Sequence, residues 1–461
     1  MPIVVDASTL HRGAKYFMDS GRVQSHDEAM ALLRQFGLTI FVGRGISNST
    51  DQQVALLSLI NAARRTFLAG VEVVGLPDVK SLTRLASRYL LKQAVVAYGG
   101  RVVSQPNPLW PSALIGECAL PASRLPCWRL TWAGWRGGVI PARDTRCLQE
   151  NEAIALAPML AAAVCAAEAF AYHAGDHAMA GRRSLGLSLW KPSADWLTAD
   201  ATEPRLSWLP SRLWIIGLGN LGQAFAWALA SLPYDIARDV QLVLQDYDRI
   251  AKSNDSTSVL SFVRDIGRRK ARVVGKWLDT LGFETFLNES RFGPWTRRAS
   301  DDPAVALCGV DNALARTALE QPGFGLVIEA GLGAGPESFR SFSLHTFPAS
   351  RSPEEIWSKQ VGAPSESVEA MPAYQAIKRQ GVDECGLAQL ASRTVGVPFV
   401  GLIAAVLVVS ELLRRLHGGI GLELVSGSVA ALRDIETVST TQQSPYAFGH
   451  VVSEGAVSRP L

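Results

Sequence analysis

Cysteine is scarce in this chain and never closely paired. Its six thiols, Cys118, Cys127, Cys147, Cys165, Cys308 and Cys385, are scattered over 461 residues with no CxxC anywhere. That spacing argues against a zinc tetrad and leaves a reduced, cytosolic set of thiols as the expectation. Charge of one sign is also lacking. The net charge is +3 and no run of basic residues occurs, so neither nucleic acid nor an anionic membrane surface is an expected partner. Met1 to Leu10 carries Asp6 and lacks a basic start followed by a long apolar core, so it does not read as a signal peptide. Long uninterrupted apolar runs are missing too. Ala153 to Ala171 contains Pro158 and Glu168, and Val395 to Ser410 contains Pro398 and two glycines. Both fall short of the about 20 apolar residues of a membrane span and are expected as buried helices of a soluble, cytoplasmic protein.

What is present is a globular composition, 48% hydrophobic and 19% charged, in a chain long enough for two or three cores. The most informative stretch begins at Leu213. Leu213-Trp214-Ile215-Ile216 reads as a buried strand, Gly217-Leu218-Gly219-Asn220-Leu221-Gly222 follows at once, and Gln223 to Leu232 has apolar residues at helical spacing. In such a strand-turn-helix the first glycine permits the tight turn. The second lets a phosphate approach the backbone, and the third lets helix pack on strand. A second strand, Val240 to Leu244, leads into Asp246-Tyr247-Asp248, and Asp246 falls where a carboxylate meets a ribose hydroxyl. Taken alone, this pattern also fits an NAD-dependent oxidoreductase.

The residues that follow separate the two readings. Ser253-Asn254, then Asp265-Ile266-Gly267-Arg268-Arg269-Lys270-Ala271, then an apolar strand, Val305 to Val310, ending in Asp311-Asn312, complete an ordered set. This order resembles the adenylation domain of the E1-like (ThiF/MoeB-type) enzymes that activate ubiquitin-like proteins. The resemblance implies a Rossmann-like α/β adenylation domain, ATP and Mg²⁺ as cofactors, and a ubiquitin-like protein and an E2-like protein as partners. It implies a nucleotide site made by Gly217, Gly219, Gly222, Asp246, Asp248, Asn254, Lys270 and Asn312, with Asp311 holding Mg²⁺ and Lys270 meeting the phosphates. It also implies a transfer cysteine, and Cys385, ahead of a loop that enters the apolar helix through Leu413, stands at that position. Two departures matter. Family members usually read Ser-Asn-Leu-x-Arg-Gln, whose arginine contacts the phosphates, and Thr257 stands at that arginine's place here. The missing cation is then expected from Arg264, Arg268 or Arg269, from the N-terminal half, or from a second protomer. The paired zinc-binding CxxC motifs of many relatives are absent as well. These departures and the extra N-terminal half resemble the E1-like proteins of bacterial conjugation operons, some of them linked to antiphage defence. A non-catalytic scaffold that binds a ubiquitin-like protein without activating it is the third reading, motivated by Thr257.

The N-terminal half, residues 1–205, reads as a degenerate α/β domain ahead of the adenylation domain at 206–461. Thr39 to Val42, Gly43-Arg44-Gly45, a helical run from Gln52 to Leu68 and Val71 to Val74 form another strand-turn-helix-strand, with one glycine missing and no aspartate at the ribose position. It is expected to bind no nucleotide. Strand-like pieces are expected at Val95 to Tyr98, Ala113 to Leu120 and Trp128 to Trp135. Trp110, Trp128, Trp132 and Trp135 are expected in sheet packing. A long helix with room for a kink at Pro158 is expected over 150–173, and a linker at Lys191 to Pro210. A polar crossover loop is expected over 345–385, following a flexible glycine run at 330–335. Single-domain members of the resembled family form homodimers; here the N-terminal half competes for that face, and the oligomeric state stays open.

Overall fold

Two sheets of the same strand order organise the chain. The computed structural model describes residues 5–150, 153–361, 368–441 and 445–454. Helices α1 (Arg12–Asp19) and α2 (His26–Leu33) come first. Strand β1 (Gly37–Val42), helix α3 (Thr50–Ala63), strand β2 (Gly70–Val74), helix α4 (Leu91–Ala97) and strands β3 (Arg101–Val103), β4 (Ser112–Ile115), β5 (Cys127–Ala133) and β6 (Arg136–Pro141) follow. Helix α5 (Leu156–Ala174) and strand β7 (Leu185–Ser188) end this half, and a short strand β8 (Trp208–Pro210) leads into the next.

The second half runs through β9 (Arg212–Ile216), α6 (Asn220–Ser231), β10 (Gln241–Gln245), α7 (Lys270–Thr280), β11 (Glu284–Asn288), β12 (Val305–Cys308) and α8 (Ala313–Thr317). It continues with β13 (Leu326–Leu332), β14 (Ser341–Phe347), α9 (Pro353–Trp357), α10 (Pro372–Arg379), α11 (Glu384–Ala391) and α12 (Pro398–Leu416). Strands β15 (Leu422–Ser428), β16 (Glu436–Ser439) and β17 (His450–Val452) close the described chain.

The sheets are ordered β3-β2-β1-β4-β5-β6-β7 and β11-β10-β9-β12-β13-β14-β15-β16. In each, five strands are parallel and the remainder antiparallel. Crossovers through α3 and α6 produce this order, because a parallel neighbour can be reached only by passing over a sheet face. The register aligns the halves: Phe41 pairs with Val74 and Leu114, as Ile216 pairs with Gln245 and Cys308. By that alignment Gly75 corresponds to Asp246 and Glu117 to Asp311, and Leu91 opens α4 as Lys270 opens α7. The first half thus repeats the frame of the second, with Gly75 and Leu91 in place of its aspartate and lysine and a carboxylate kept only at Glu117. Gln52 also fills the space beside Gly116, where a Cβ would meet it at 2.7 Å.

Helix α5 packs on β5 and β6, α12 packs on β13 and β14, and the two helices pack on each other, with α3 and α6 alongside. Both long helices are apolar on nearly every side because they lie between sheets. Helix α5 is long and apolar enough to cross a membrane, yet 89% of it is buried inside the fold. One core therefore runs through both halves.

Several expectations need correction. Val95 to Tyr98 is not a strand; Leu91, Ala94, Val95 and Tyr98 are the buried face of α4 and its cap, at spacings of three and four. The helix expected at 150–173 begins at Leu156, so Pro158 sits in its first turn and causes no kink. Residues 151–152 of that expectation lie outside the described residues. The glycine run at 330–335 is not a loop throughout, since Ala330 to Leu332 belong to β13. The crossover stretch at 345–385 starts inside β14 and contains α9 and α10, with Ala373, Tyr374 and Ile377 buried. Its residues 362–367 lie outside the described residues. Trp110, Trp128, Trp132 and Trp135 are buried, as sheet packing requires.

Candidate active site

The C-terminal ends of β9 and β12 open into a cavity of about 540 Å³. Adjacent parallel strands whose crossovers leave in opposite directions create such a crevice. Gly217 turns the chain out of β9 at φ +80°, a conformation that disfavours any side chain, while its N–H donates to Gln245 O at 2.9 Å. At Gly222 a Cβ would lie 1.8 Å from Gly217 O, so only glycine lets α6 start this close to the turn. At Gly219 a Cβ would meet no atom within 4 Å. Its missing side chain leaves space that belongs to the cavity.

Asp246 is 8% exposed and braces this turn. One carboxylate oxygen accepts from Leu218 N–H and the other from Asp248 N–H, both at 2.7 Å. Lys270, the first residue of α7, donates through Nζ to Asp248 Oδ2 at 2.8 Å and lies 3.9 Å from Asp246 Oδ2. Asn254 lines the cavity while its Oδ1 accepts from Ala251 N–H at 2.8 Å. Asn312 caps the short helix α8 by accepting from Ala315 N–H at 3.3 Å, and it also lines the cavity. Asp311 beside it is exposed to the cavity.

Among the described residues, five cationic side chains line the cavity: Arg12, Lys270, Arg291, Arg316 and Arg393. Arg264, Arg268 and Arg269 do not, correcting one expectation for the missing cation. Arg264 and Arg268 are largely exposed, Arg268 being paired with Asp265, and Arg269 donates to Tyr247 O. Arg12, at the start of α1, comes from the N-terminal half of the same chain. Its N–H donates to Ser256 Oγ at 3.1 Å and its Nη1 to Thr394 O at 2.8 Å. Burial, reinforced by Arg393, lowers the Arg12 guanidinium to about 10 against the pull of Asp311. Two like charges held together at a cavity wall favour an anion between them. Arg316 is fixed by Val310 O at 3.1 Å and by the buried Glu329 carboxylate at 2.8 Å, which also contacts His345. Arg291 lies over the half-exposed Tyr247 ring, 5.7 Å from its centroid.

Sequence reasoning named none of Arg12, Arg291 or Arg393. No local motif marks them, and Arg12 is brought to the site only by the docking of α1 on the 253–257 segment. Thr257 lines the cavity as a buried hydroxyl. Cys385 is exposed, the second residue of α11, and is not among the cavity-lining residues; its Sγ lies 3.8 Å from Gln389 Nε2. Cys308 is buried in β12, and burial pushes its thiol up to about 12. His173 and His177 serve structure: the first lies 2.9 Å from Gly37 O, the second 3.0 Å from Arg183 Nη1.

A nucleotide fits this donor set, with an open backbone turn, a cation-lined wall and carboxylates at the strand end. The residues present also fit Mg²⁺, which is held by one or two carboxylates together with substrate phosphates and water. Asp311, exposed in the cavity wall, is a carboxylate available to such an ion. Among the described residues no group of three or more His, Cys, Asp or Glu side chains forms a self-sufficient metal site.

Comparison with known proteins matches residues 37–189 to the BilD N-terminal domain and residues 209–419 to the BilD C-terminal domain. The chain is 61% identical over 450 residues to the bacterial E1-like protein BilD of Collimonas sp. (strain OK412), covering 98% of this chain and 97% of that one. Among solved structures, Escherichia coli MccB with succinimide has a TM-score of 0.33 at 12% identity, covering 51% of this chain and 67% of MccB. MccB with ATP has a TM-score of 0.32 at 12% identity, covering 51% and 65%.

Proposed function

Because the chain belongs to the BilD family of bacterial E1-like proteins, we propose that it activates the C-terminal glycine carboxylate of a small ubiquitin-like protein with ATP. The carboxylate oxygen bonds to the α-phosphorus, the bond to the bridging oxygen breaks, and pyrophosphate leaves. The Cys385 thiolate then takes the acyl group, AMP departs, and the thioester is handed to an E2-like protein. In this reading residues 206–461 carry the adenylation chemistry and residues 1–205 form a nucleotide-free partner built into the same chain.

One observation carries the proposal: the glycine turn, Lys270, Asp311 and Arg12 all line one cavity at the strand ends. The start of α6 at Gly219 presents helix N-terminal N–H groups to an anion, and Gly219 leaves the room for it. Asp246 keeps the turn in that shape; because both its oxygens already accept backbone N–H groups, the ribose hydroxyl expected on it passes to Asp248, which also holds Lys270. Lys270, Arg12 and Arg393 then oppose the negative charge that grows as pyrophosphate departs, already oriented before it arrives. Mg²⁺ on Asp311 would neutralise phosphate charge further. Five cations in one cavity suit a triphosphate better than a nicotinamide, which favours this reading over the oxidoreductase. Arg12 occupies the role that Thr257 leaves open, which favours it over an inert scaffold.

Cys385 lies outside the cavity, on the helix that leads to its wall. Along α11 it lies roughly 9 Å from Ala391, and Arg393, two residues beyond, is in the cavity wall. The test is ATP/pyrophosphate exchange by the full chain with a ubiquitin-like partner ending in glycine. Exchange that disappears in Asp311→Ala and persists in Cys385→Ala is expected. Absence of exchange with a partner shown to bind would reject adenylation.

A further inference from the structure

Helix α3 of the first half ends against the candidate site of the second. Just beyond it, Arg65 is 1% exposed, and its guanidinium is spent mostly on backbone carbonyls. Nη1 donates to Asp255 O at 2.6 Å and Ser261 O at 2.9 Å, and Nη2 to Val259 O at 2.9 Å. Its Nε donates to Asn61 O at 3.1 Å, and Nη2 also donates to Asn61 Oδ1 at 3.2 Å. Asn61 Nδ2 reaches Val259 O at 3.0 Å, and Arg64 Nη2 reaches Asp255 Oδ1 at 2.9 Å. A buried guanidinium is costly unless its donors are satisfied, and here the planar fork finds three carbonyls of one segment.

The other side of that segment is the cavity wall, at Asn254 and Thr257. Ser256 Oγ receives the Arg12 N–H, and Ser253 N–H donates to Ser8 O at 2.7 Å, which ties down the lead into α1. Gln223 joins the segment to the glycine turn. Its Nε2 donates to Leu218 O at 3.0 Å and Ser261 Oγ at 2.9 Å, while its Oε1 accepts from Leu260 N–H at 2.8 Å. One side chain from the first half therefore fixes a segment that holds both Arg12 and the turn.

We infer that Arg65 is a positioning residue of the nucleotide site, setting the 255–261 segment and through it Arg12 and the glycine turn. The inference rests on the reading of the cavity as a nucleotide site, and it assigns to the nucleotide-free half a direct part in building the other half's site. Lysine at this position keeps the charge but offers a single compact ammonium, which cannot span three carbonyls.

The test compares full-length wild type with Arg65→Lys and, as a control on the adjoining helix α3, Ile60→Val. Amide hydrogen exchange, ATP affinity and ATP/pyrophosphate exchange resolved into KM and kcat are measured at matched temperature below melting. In Arg65→Lys, amides of residues 253–262 and of α1 are expected to exchange about tenfold faster or more, with ATP affinity down by a similar factor. Amides of β1 and β9 keep their wild-type protection. Ile60→Val keeps both the segment's protection and the ATP affinity. Wild-type protection and affinity in Arg65→Lys would overturn the inference, as would an equal loss of affinity in Ile60→Val. Should Arg65→Lys not fold, Asn61→Ala, which removes one donor to Val259 O and one acceptor of Arg65, is read by the same criteria. A wild-type protein that binds no ATP would reject the adenylation reading, while protection of residues 253–262 would still decide whether Arg65 sets that segment.

Discussion

Lys270 Nζ lies 2.8 Å from Asp248 Oδ2 and 3.9 Å from Asp246 Oδ2, so the cation facing the cavity is held by the two carboxylates that follow β10. A ligand phosphate competes for an ammonium already aimed at it. Lys270→Met is expected to lower ATP/pyrophosphate exchange by about a hundredfold or more, the usual consequence of losing one charge-stabilising donor. Melting temperature should change little, because a pair with a half-exposed partner contributes under about 1 kcal/mol. Exchange at the wild-type rate would remove Lys270 from the mechanism.

Gly219 and Gly222 separate ligand space from protein space. Alanine at 219 meets no atom within 4 Å, whereas alanine at 222 collides with Gly217 O. Gly219→Ala should melt like wild type and bind ATP at least about tenfold more weakly, since the methyl enters the cradle. Gly222→Ala should lower the melting temperature as well. Calorimetric melting together with titration of ATP distinguishes the two.

In the proposed mechanism Arg12 takes the place of the arginine missing from the second half. Arg12→Ala should reduce exchange by about a hundredfold, and Arg12→Lys should recover part of it, since the charge returns without the contact to Thr394 O. Steady-state exchange kinetics at saturating partner measure this. A silent Arg12→Ala would return the question to Arg291 or Arg393.

Asp51 lies in the first half near Glu150, and burial followed by that like charge raises its carboxyl to about 6. The folded value exceeds the unfolded one, so the destabilisation is absent below the ordinary 3.8, grows between 3.8 and about 6, and is complete above that. Asp51→Asn should therefore stabilise the protein by about 1–3 kcal/mol at neutral pH and by nothing in strong acid. Urea unfolding across pH reads the difference, and an equal effect at every pH would contradict it.

Much of the candidate site was legible because its residues follow one another along the chain. The glycine turn, Asp246, Lys270 and Asp311 each stand at a strand end or helix start that apolar spacing marks. Arg12 and Arg65 were not legible as site residues, because their place depends on docking across nearly two hundred residues or more, and nothing in their own neighbourhoods encodes it. Val95 and Val96 invited a strand by their branching, while the burial of Leu91, Ala94, Val95 and Tyr98 followed a helical period. The repeat of strand order was likewise hidden, since Gly75 and Leu91 share frame positions but not chemistry with Asp246 and Lys270, and Glu117 alone keeps the charge of its counterpart Asp311.

The packing of α5 against α12 also has a consequence in time. Helix α5 is finished long before α12 is made. At ordinary translation rates the apolar surface that α12 covers waits roughly 10–45 s for its partner. Until then the growing chain presents one of its most apolar helices to the cell, and a ribosome that stops between the two halves releases a product with that surface bare.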